Sequence, residues 1–566
     1  MKAAIILLTG FLAYSFSVFS QAEKAFPYII TKKKVVTHGA VVSAHPLASK
    51  VGTDILQQGG NAIDAAIATQ LALAVVYPNA GNLGGGGFMV ARLKDGQQLA
   101  LDYRERAPDK ASRNMYLNEH GAVIEGKSIN GHLSAGVPGT VAGLFASAKY
   151  GRLSFRKLIQ PAIDLAENGF SITAREAASL NSIRDDLKKY NTVLPVFVKK
   201  EPWKAGDILV QKELAATLRR IRNQGAKGFY EGTTAQLIVA EMKRGGGIIT
   251  LEDLKSYHAK FRQPHVFTYK QYTVLGMPMP SSGGILLHQM MKMVETRDIA
   301  SLGFQSPEAV QLMTEAERRA YADRAEYMGD ADFVKVPQQE LTDSLYIQSR
   351  MKNYVAGKAG NSLLIRPGLP TRKESEETTH LSVLDSDGNA VSVTTTLNNS
   401  YGSKTVVAGA GFLLNDEMDD FSAKPGAPNL YGAVGGEANA IAPGKRMLSS
   451  MTPTIVLKNN KPYIVVGSPG GTTIPTTLFQ TLVNILDFGL STEDAINKPK
   501  FHHQWLPDRI DVEPAYPQSL REALRLMGYT IYERGAIGRT EAIKVLTDGH
   551  LEAVADTRGD DAADGF

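Results

Sequence analysis

A threonine opens a stretch of alternating strand residues between positions 378 and 402, and this stretch constrains the fold more than any other part of the chain. Residues 379–384 and 389–397 are rich in Thr, Val, Ser and Leu, which favour strands. Between them, residues 385–388 read Asp-Ser-Asp-Gly, and the glycine can adopt the positive φ of a tight turn. The sequence therefore predicts a β-hairpin that begins at a threonine.

The register of this hairpin brings polar side chains to the threonine. Either tight turn that the sequence allows places Thr378 opposite residues 395–397. Because side chains alternate along a strand, Thr394, Thr396 and Asn398 share one face. We therefore expect Thr396 and Asn398 within hydrogen-bond reach of the Thr378 hydroxyl.

A threonine hydroxyl needs a base beside it, because its pKa lies far above neutrality. If the bond before Thr378 is cut, the new α-amine of the same residue can supply that base, with a pKa of about 7.7 to 8.0. Such a cut requires a flexible connector that meets a rigid strand. Residues 331–377 lose regular patterning and carry Pro337, Pro367 and Pro370, which predicts an exposed, mobile connector.

The first residues have the pattern of a secretory signal peptide. Lys2, an apolar run over 3–18 and small residues up to Ala22 form the three expected regions, and we predict cleavage after Ser20, with Ala22 as the alternative site. The run is too short for a stable membrane span, and no later segment offers about twenty uninterrupted apolar residues. The chain has no cysteine, which excludes disulfides and thiolate chemistry. These features predict a periplasmic or secreted protein without a membrane span.

Several other function classes are disfavoured by composition and order. The net charge of +5 is spread over 566 residues without a basic block, which gives little reason to expect a nucleic-acid partner. His502 and His503 are adjacent on a predicted strand, point to opposite faces and have no third ligand, so no metal site is predicted. The glycine run at 84–87 precedes a strand rather than a helix, which is the wrong order for a phosphate-binding loop and indicates close backbone packing.

Local patterns predict a chain in which α and β segments alternate. The 43% hydrophobic content is ample for a large core. Helices are predicted over 46–58 and 62–76 with Asn61 as an N-cap, strands after the glycine run and over 99–104, mainly helix over 150–330 with a start at Ser306, mainly β from 378 to about 466, and an α/β portion from 476 to the end. No internal repeat is visible.

Residues 378–402 closely resemble the small-subunit signature of the γ-glutamyltranspeptidases (glutathione hydrolases), and other segments agree over nearly the whole mature chain. The matching positions of the signature are Thr378-Thr379-His380, Ser382, Gly388-Asn389, Val391, Thr394, Thr396-Leu397-Asn398 and Tyr401-Gly402. The other matching segments are 59–65, 84–89, 134–139, 280–284, 418–421 and 467–471.

The resemblance implies the α/β (α+β) fold class, in the form of the four-layer α/β/β/α sandwich of the N-terminal-nucleophile hydrolases. It also implies a precursor that cleaves itself between Glu377 and Thr378. After removal of a signal peptide over 1–20, the products would be a large subunit, 21–377, and a small subunit, 378–566. The two subunits would remain associated as a heterodimer that forms one catalytic unit.

The resemblance also assigns roles to particular residues. Thr378 would be the nucleophile, Thr396 would orient it, and the backbone N–H groups of Gly470 and Gly471 would form the oxyanion hole. The family's α-carboxylate ligands match Arg104, Ser449 and Ser450, and its α-ammonium ligands match Asn398, Glu417 and Asp420. Glu417 stands where family members carry Glu or Gln. The loop 425–436 resembles a lid with Tyr431 as its gate, and His380 would be structural; no cofactor is implied.

The implied reaction is acyl transfer from glutathione and other γ-glutamyl compounds to water, amino acids or peptides. A cephalosporin (glutaryl) acylase of the same fold is one alternative. The lid favours small γ-glutamyl compounds over this alternative, because acylase relatives often lack it. A periplasmic solute-binding protein is an alternative of another class, since it would also show a signal peptide, no cysteine and α/β alternation.

Overall fold

The computed structural model describes residues 28–366, 378–422, 424 and 436–566. Its strands are β1 (Lys33–Val36), β2 (Ala40–Ser43), β3 (Gly86–Arg92), β4 (Gln98–Asp102), β5 (Phe170–Ser171), β6 (Ile208–Leu209), β7 (Lys260–Arg262), β8 (His265–Tyr269), β9 (Tyr272–Gly276), β10 (Thr379–Leu384), β11 (Ala390–Thr396), β12 (Thr454–Lys458), β13 (Lys461–Gly467), β14 (Phe501–His502), β15 (Ile510–Val512), β16 (Ile531–Glu533), β17 (Glu541–Val545), β18 (Leu551–Ala555) and β19 (Ala562–Gly565).

The α-helices are α1 (Pro46–Gln57), α2 (Ala62–Val76), α3 (Thr140–Ala148), α4 (Phe155–Asn168), α5 (Ala174–Ser182), α6 (Arg184–Tyr190), α7 (Lys212–Gln224), α8 (Lys227–Tyr230), α9 (Gly232–Gly245), α10 (Leu251–Lys255), α11 (Gly283–Glu295), α12 (Ile299–Leu302), α13 (Pro307–Tyr327), α14 (Gln338–Leu341), α15 (Ser344–Arg350), α16 (Thr473–Leu486), α17 (Thr492–Asn497) and α18 (Gln518–Leu526). Short 3-10 helices cover His132–Ser134, Glu417–Asp420 and Glu437–Asn439.

Two antiparallel sheets, each of seven strands within the described residues, form the centre of the molecule. Their strand orders are β19-β2-β10-β11-β3-β4-β7 and β1-β18-β17-β13-β12-β9-β8. Strands β2, β10 and β11 contact β13 and β17, so the sheets stack face to face. Helices α1 and α2 cover the outer face of the first sheet, and α11, α16 and α17 cover that of the second. The predicted α/β/β/α sandwich is therefore confirmed.

Residue alternation in the hairpin decides which side chains reach each layer. Leu381 and Val383 of β10 join the apolar core beneath α1 and α2. The intervening Ser382 faces the second sheet, where its hydroxyl donates to the Glu541 carbonyl at 3.2 Å. The nucleophile candidate Thr378 is four residues before Ser382, so it lies on the same face of the sheet. It lines a cavity together with Gly471, which lies in the loop after β13 of the second sheet.

The observed register confirms the predicted hairpin. Thr379 pairs with Thr395 and Leu384 with Ala390, so continuing the register by one residue places Thr378 opposite Thr396. Gly388 closes the turn with a φ of 81°, and its amide donates to the Asp385 carbonyl at 3.1 Å. This register lies between the two that the sequence allowed, and the positive φ explains why glycine stands there.

The glycine run packs against the strand that carries the polar residues. A Cβ added to Gly85 would lie 2.1 Å from the Thr396 carbonyl oxygen, and one added to Gly87 would lie 2.5 Å from that of Thr394. Both contacts are too close for any side chain. Close backbone packing was the prediction for this run, and it is confirmed.

The segments before and after Thr378 are interleaved in both sheets. Strands β10 and β11 lie between β2 and β3 in the first sheet, and β12 pairs with β9 in the second. Each segment therefore lacks partners for some of its strands without the other. Backbone hydrogen bonds hold these strand pairs together and do not depend on the peptide bond before Thr378. A cut at that bond would therefore leave both sheets connected across the two pieces.

The stretch 150–330 is mainly helical, as predicted, although residues 260–276 within it form the strands β7, β8 and β9. Strands β7 and β8 are short sheet edges with several exposed side chains, so their residues carry no clear strand signal. The prediction of a mobile connector is wrong for residues 331–366. They contain two helices and are anchored at Trp505, whose indole N–H donates to the Ser362 and Ile365 carbonyls at 2.9 and 2.8 Å.

Helix starts were predicted well from local sequence. Asn61 and Asp64 form a capping box before α2, and Ser306 caps α13 with Pro307 at its first position. Across the residues that the structure describes, none of the helices combines the length and hydropathy needed to span a membrane. The predicted signal peptide, Glu377 and the loop with Tyr431 lie outside the described residues.

Candidate active site

Thr378 lies where two cavities adjoin and is only 4% exposed. The donor cavity, as we name the first, is lined by Thr378, Arg104, Thr396, Asn398, Glu417, Asp420, Ser449, Ser450, Met451, Gly471 and Ile474. Every predicted catalytic or binding residue that the structure describes lines it, except Gly470, which lines the second cavity. Residues far apart in sequence are thus brought together around the threonine.

The end of the hairpin beside Thr378 has a strained but well-supported backbone. Asn398 adopts a φ of 76°, which is unusual for a residue with a side chain. Its amide donates to the Thr396 hydroxyl at 2.8 Å, and its side-chain amide donates to the Asp416 carbonyl at 3.0 Å. Strain of this kind persists where surrounding contacts impose it, often at functional sites. These bonds fix the orientation of both polar side chains in the donor cavity.

Arg104 follows β4 and is fully buried among three carboxyl groups. Its guanidinium forms an ion pair with Glu417 at 2.5 Å and another with Asp420, and Glu105 lies 3.6 Å away. A further bond from Nε to the Met447 carbonyl at 3.3 Å fixes the plane of the group. The guanidinium is therefore held rigidly at the wall of the donor cavity, which suits recognition of a planar carboxylate.

Burial and neighbouring charges shift the pKa values of Arg104 and of the three carboxyl groups around it. Burial disfavours the charge on Arg104, but Glu417 and Asp420 outweigh it and raise the pKa of the guanidinium. Burial raises the pKa of Glu417 and Asp420 against the opposing effect of Arg104, and it raises the pKa of Glu105 to about 8. Burial therefore favours the protonated form of these carboxyl groups, whereas a cation beside them favours the ionised form.

The two serines, which follow residue 378 in the chain, are held by residues that precede it. The Ser449 amide donates to the Pro280 carbonyl at 2.9 Å. The Ser450 hydroxyl accepts a hydrogen bond from Arg324 at 3.1 Å, and the same guanidinium donates to the Ser282 hydroxyl at 2.9 Å. Burial lowers the pKa of Arg324 to about 10, so it remains charged at neutral pH. A second cation therefore lies behind the serines.

Sequence reasoning missed Arg324 and Glu105. Arg324 lies in the last turn of α13, where a basic residue is expected to interact with the helix dipole or solvent. The sequence shows several arginines in α13, but only the structure shows that this helix is buried almost all round. Glu105 follows Arg104 directly, but only its complete burial distinguishes it from a surface carboxylate.

Gly470 and Gly471 form a turn that starts α16. Their φ values are 134° and 54°, and their carbonyl oxygens accept from the amides of Thr473 and Ile474 at 3.0 and 3.1 Å. Within the described part of the chain, no protein group accepts a hydrogen bond from either glycine N–H. Two N–H donors at the positive end of a helix, close to the Thr378 hydroxyl, can stabilise an oxyanion.

The three histidines noted in the sequence are structural. Both ring nitrogens of His380 are engaged, with the Thr394 hydroxyl at 2.9 Å and the Ser382 hydroxyl at 3.1 Å, and burial lowers its pKa to about 3. His502 contacts the Thr476 hydroxyl at 2.8 Å. His503 lies beside Asp508 at 3.4 Å. In the described ranges, no three residues of metal-binding type are grouped closely enough to hold an ion.

A family model described as gamma-glutamyltranspeptidase matches residues 48–566. A glutathione hydrolase proenzyme from Escherichia coli (strain K12) is 48% identical over 539 residues, which cover 93% of this chain and 92% of that protein.

Solved structures give the same picture of the fold. The crystal structure of cephalosporin acylase from Bacillus halodurans matches with a TM-score of 0.82 at 27% identity, and covers 97% of this chain and 99% of that one. A chain of Helicobacter pylori gamma-glutamyltranspeptidase matches with a TM-score of 0.57 at 47% identity, and covers 60% of this chain and 97% of that one.

Proposed function

The chain belongs to the gamma-glutamyltranspeptidase family, and from this premise we propose that it is made as a precursor that cleaves itself between Glu377 and Thr378. It is a γ-glutamyltransferase and glutathione hydrolase of the N-terminal-nucleophile class. Family membership favours this enzyme over a solute-binding protein. The observation that carries the assignment of residues is the buried cluster of Arg104, Glu417 and Asp420 in one cavity with Thr378.

Self-cleavage begins with attack of the Thr378 hydroxyl oxygen on the carbonyl carbon of residue 377. The C–N bond breaks, the threonine nitrogen takes the proton, and an ester joins residue 377 to the side chain. Water then hydrolyses the ester and leaves a free amine on Thr378. The products, 21–377 and 378–566 after removal of the signal peptide, remain together because their strands alternate in both sheets.

The mature enzyme uses the hydroxyl and the amine of Thr378 as a pair. The amine accepts the hydroxyl proton as the oxygen attacks the γ-carbonyl carbon of the donor, and the proton passes to the leaving amine. The N–H groups of Gly470 and Gly471 stabilise the oxyanion, and Thr396 orients the nucleophile. Water, an amino acid or a peptide amine then takes the γ-glutamyl group from the ester. This chemistry needs no cofactor.

The donor cavity recognises the amino-acid end of the γ-glutamyl group. Arg104 with Ser449 and Ser450 binds the α-carboxylate, and the charge of Arg324 supports the second hydroxyl. Asn398, Glu417 and Asp420 bind the α-ammonium. Arg104 already contacts both carboxylates, so a substrate that brings both a carboxylate and an ammonium matches this arrangement in charge. We place the enzyme in the periplasm or outside the cell, and Tyr431 at the gate of the cavity.

A comparison of γ-glutamyl and glutaryl amides tests this assignment directly. A glutaryl group has the same length but lacks the ammonium, so it would leave Glu417 and Asp420 buried without a cationic substrate group. We expect kcat/KM for the γ-glutamyl amide to exceed that for the glutaryl amide by about 100-fold or more, because the analogue lacks the ammonium that Asn398, Glu417 and Asp420 are placed to bind. Equal rates, or a preference for glutaryl, would assign the chain to the acylases instead.

Proton release on ligand binding gives a second test. Burial raises the pKa of Glu417 and Asp420, and an arriving ammonium would lower both pKa values and favour the release of a proton. Affinity for L-glutamate should therefore increase as the pH rises, as long as the ligand's own ammonium keeps its proton. Titration calorimetry in two buffers with different ionisation enthalpies measures the number of protons released.

The Glu417→Gln variant provides the matched comparison. The amide keeps the size and hydrogen-bonding capacity of the side chain but cannot lose a proton. We expect the variant to release fewer protons and to show a flatter dependence of affinity on pH. If both proteins released the same number of protons, Glu417 would not be a ligand of the α-ammonium.

A further inference from the structure

One loop on the surface exposes aliphatic side chains between two pairs of lysines. Residues 188–200 read Lys-Lys-Tyr-Asn-Thr-Val-Leu-Pro-Val-Phe-Val-Lys-Lys and run from the last turn of α6 towards β6. We call this stretch the lysine-flanked loop and residues 193–196 its tip. Val193, Leu194 and Val196 are 54%, 62% and 44% exposed. Because single exposed aliphatic residues are common but adjacent ones are not, the tip has the character of an interaction surface.

The loop is held firmly at both ends, so the exposure of its tip does not come from a lack of structure. The side chain of Asn191 accepts a hydrogen bond from the Val406 amide and donates to the Lys404 carbonyl, both at 2.7 Å. Phe197 is buried, and its carbonyl accepts from the indole N–H of Trp203 at 2.7 Å. The exposed aliphatic side chains therefore project from a fixed base.

The apolar surface continues beside the loop. A groove of about 350 Å³ lies between the tip and the start of α7, and Leu214 and Val406 contribute to its lining. Two charged residues also line the groove. Lys212 is exposed, whereas the carboxylate of Glu213 accepts a hydrogen bond from the Gly409 amide at 3.1 Å. The tip thus belongs to a larger apolar area with a basic border.

The charge next to the tip is positive. Residues 188–200 contain four lysines and no acidic residue, and the nearest acidic positions in sequence, 186 and 201, lie outside both lysine pairs. Two of the lysines are neutralised from outside the loop, Lys188 by Asp185 and Lys199 by Asp207. Lys189 and Lys200 are exposed, and in the described ranges neither forms an ion pair. One unpaired lysine therefore stands before the tip and one after it.

An apolar tip between exposed lysines matches the boundary of a lipid bilayer, where acyl chains lie beneath charged headgroups. We propose that the lysine-flanked loop docks the protein on the anionic surface of a membrane. Leu194 and its neighbours enter the boundary between headgroups and acyl chains, and Lys189 and Lys200 bind lipid phosphates. The apolar stems of the lysines can lie along the tip while their ammonium groups stay with the phosphates. The loop lies on the bilayer and does not cross it.

Charge favours a bilayer over a second copy of the chain as the partner. In a symmetric dimer the loop would face its own copy, and the lysines of the two loops would repel each other. Lipid phosphates supply the opposite charge. Residues 188–200 line neither of the two cavities at Thr378, so docking occupies neither cavity and does not depend on the proposed function.

Cosedimentation of the purified wild-type protein with lipid vesicles tests the docking. Vesicles of equal parts phosphatidylglycerol and phosphatidylcholine are compared with vesicles of phosphatidylcholine alone. We expect the partition constant for the anionic vesicles to be larger by about tenfold or more at low ionic strength. It should fall as salt is added, because salt screens the attraction between lysine and phosphate.

Substitutions at the loop separate its apolar and basic contributions. Leu194→Asn should lower the partition constant by about tenfold, because the burial of one leucine is lost. Replacing Lys189 and Lys200 by glutamine should lower binding to anionic vesicles by about fivefold for each lysine. Leu526→Asn is the matched control, since Leu526 is 91% exposed on α18, outside the loop, and this variant should bind like the wild type.

A tryptophan at the tip reports its entry into the bilayer. The chain has two tryptophans, Trp203 and Trp505, and both are buried. A change in emission when vesicles are added to Leu194→Trp therefore reports position 194. We expect a blue shift with anionic vesicles and quenching by lipids with brominated acyl chains, because tryptophan prefers the membrane interface.

Several results would overturn the docking. These are equal binding to both kinds of vesicle, no binding to either, an unchanged partition constant in Leu194→Asn, or emission of Leu194→Trp that does not respond to vesicles. A wild-type dimer in sedimentation velocity without lipid, dissociated by Leu194→Asn, would show instead that the tip is an interface between copies of the chain. Circular dichroism confirms that each variant is folded, as expected for substitutions at exposed positions.

Discussion

Replacement of Thr378 by alanine is expected to leave the precursor as a single polypeptide and to abolish γ-glutamyl hydrolysis and transfer. The variant lacks the oxygen that attacks in self-cleavage and in acyl transfer, so both reactions are lost together. Loss of a nucleophile lowers kcat by about 10⁶-fold in a comparable hydrolase. Denaturing electrophoresis measures cleavage, and release of nitroaniline from γ-glutamyl-p-nitroanilide measures activity.

Two further variants show whether the loss of cleavage and activity comes from the missing hydroxyl or from misfolding. Thr379→Val is the matched control, because Thr379 is fully buried and, within the described chain, its hydroxyl has no hydrogen-bond partner. It should cleave and turn over like the wild type. Thr378→Ser keeps a hydroxyl and should still cleave, more slowly. Circular dichroism of Thr378→Ala must match the wild type, since a misfolded chain would also remain uncut.

The position of the cut is a separate part of this prediction. Mass spectrometry of the active wild-type protein should find a chain that begins at Thr378. If active protein retained an intact bond between residues 377 and 378, its α-amine could not serve as the base. The mechanism proposed for Thr378 would then be wrong.

The hairpin at Thr378 was predictable from sequence because its determinants are local. Strand residues, the turn at 385–388 and a period of two restrict the register to a narrow range, and the observed pairing lies within that range, one residue from either predicted register. The same holds for the start of α2, where Asn61 and Asp64 lie within one turn. Local chemistry decides such features before any tertiary contact forms.

The donor cavity could not be assembled from local patterns. Arg104 and Asp420 are 316 positions apart, yet they form an ion pair. Nothing in the spacing of the two residues indicates this contact, so only the resemblance to a known family assigned them to one site. Arg324 was missed because its function depends on burial against Ser450, a contact between α13 and a distant loop.

Strand order was hidden for the same physical reason. β12 pairs with β9 across 177 intervening residues, and β10 pairs with β2 across 335. Pairings of this kind depend on loop closure and on packing between sheets, which a single sequence does not encode in any short window. The edge strands β7 and β8 are short and partly exposed, so they also lacked the apolar alternation by which central strands are found.

Replacement of Arg104 by glutamine is expected to lower kcat/KM for γ-glutamyl donors by about 10³-fold, mainly through KM, without preventing self-cleavage. The substitution removes the ligand of the α-carboxylate and leaves Glu105, Glu417 and Asp420 buried without their cation. Breaking a buried ion pair costs about 3 to 5 kcal/mol. The pKa values of the three carboxyl groups should then rise further, so the ammonium also loses its ionised partners.

Arg104→Lys separates charge from geometry, since lysine restores the cation but not the planar pair of donors. Its kcat/KM should lie between those of the wild type and Arg104→Gln. Arg106→Gln is the matched control. Arg106 is close in sequence, but it donates to the Asp253 carbonyl and the Ser256 hydroxyl rather than into the donor cavity.

The presence of two bands on a denaturing gel shows that each variant has folded and processed, so any remaining defect belongs to donor recognition. The loss should also be selective. Arg104→Gln removes the group that distinguishes donors with an α-carboxylate from their α-amides, so the preference of the wild type for the carboxylate should disappear. A processed Arg104→Gln enzyme that kept a wild-type KM and this preference would show that the carboxylate binds elsewhere.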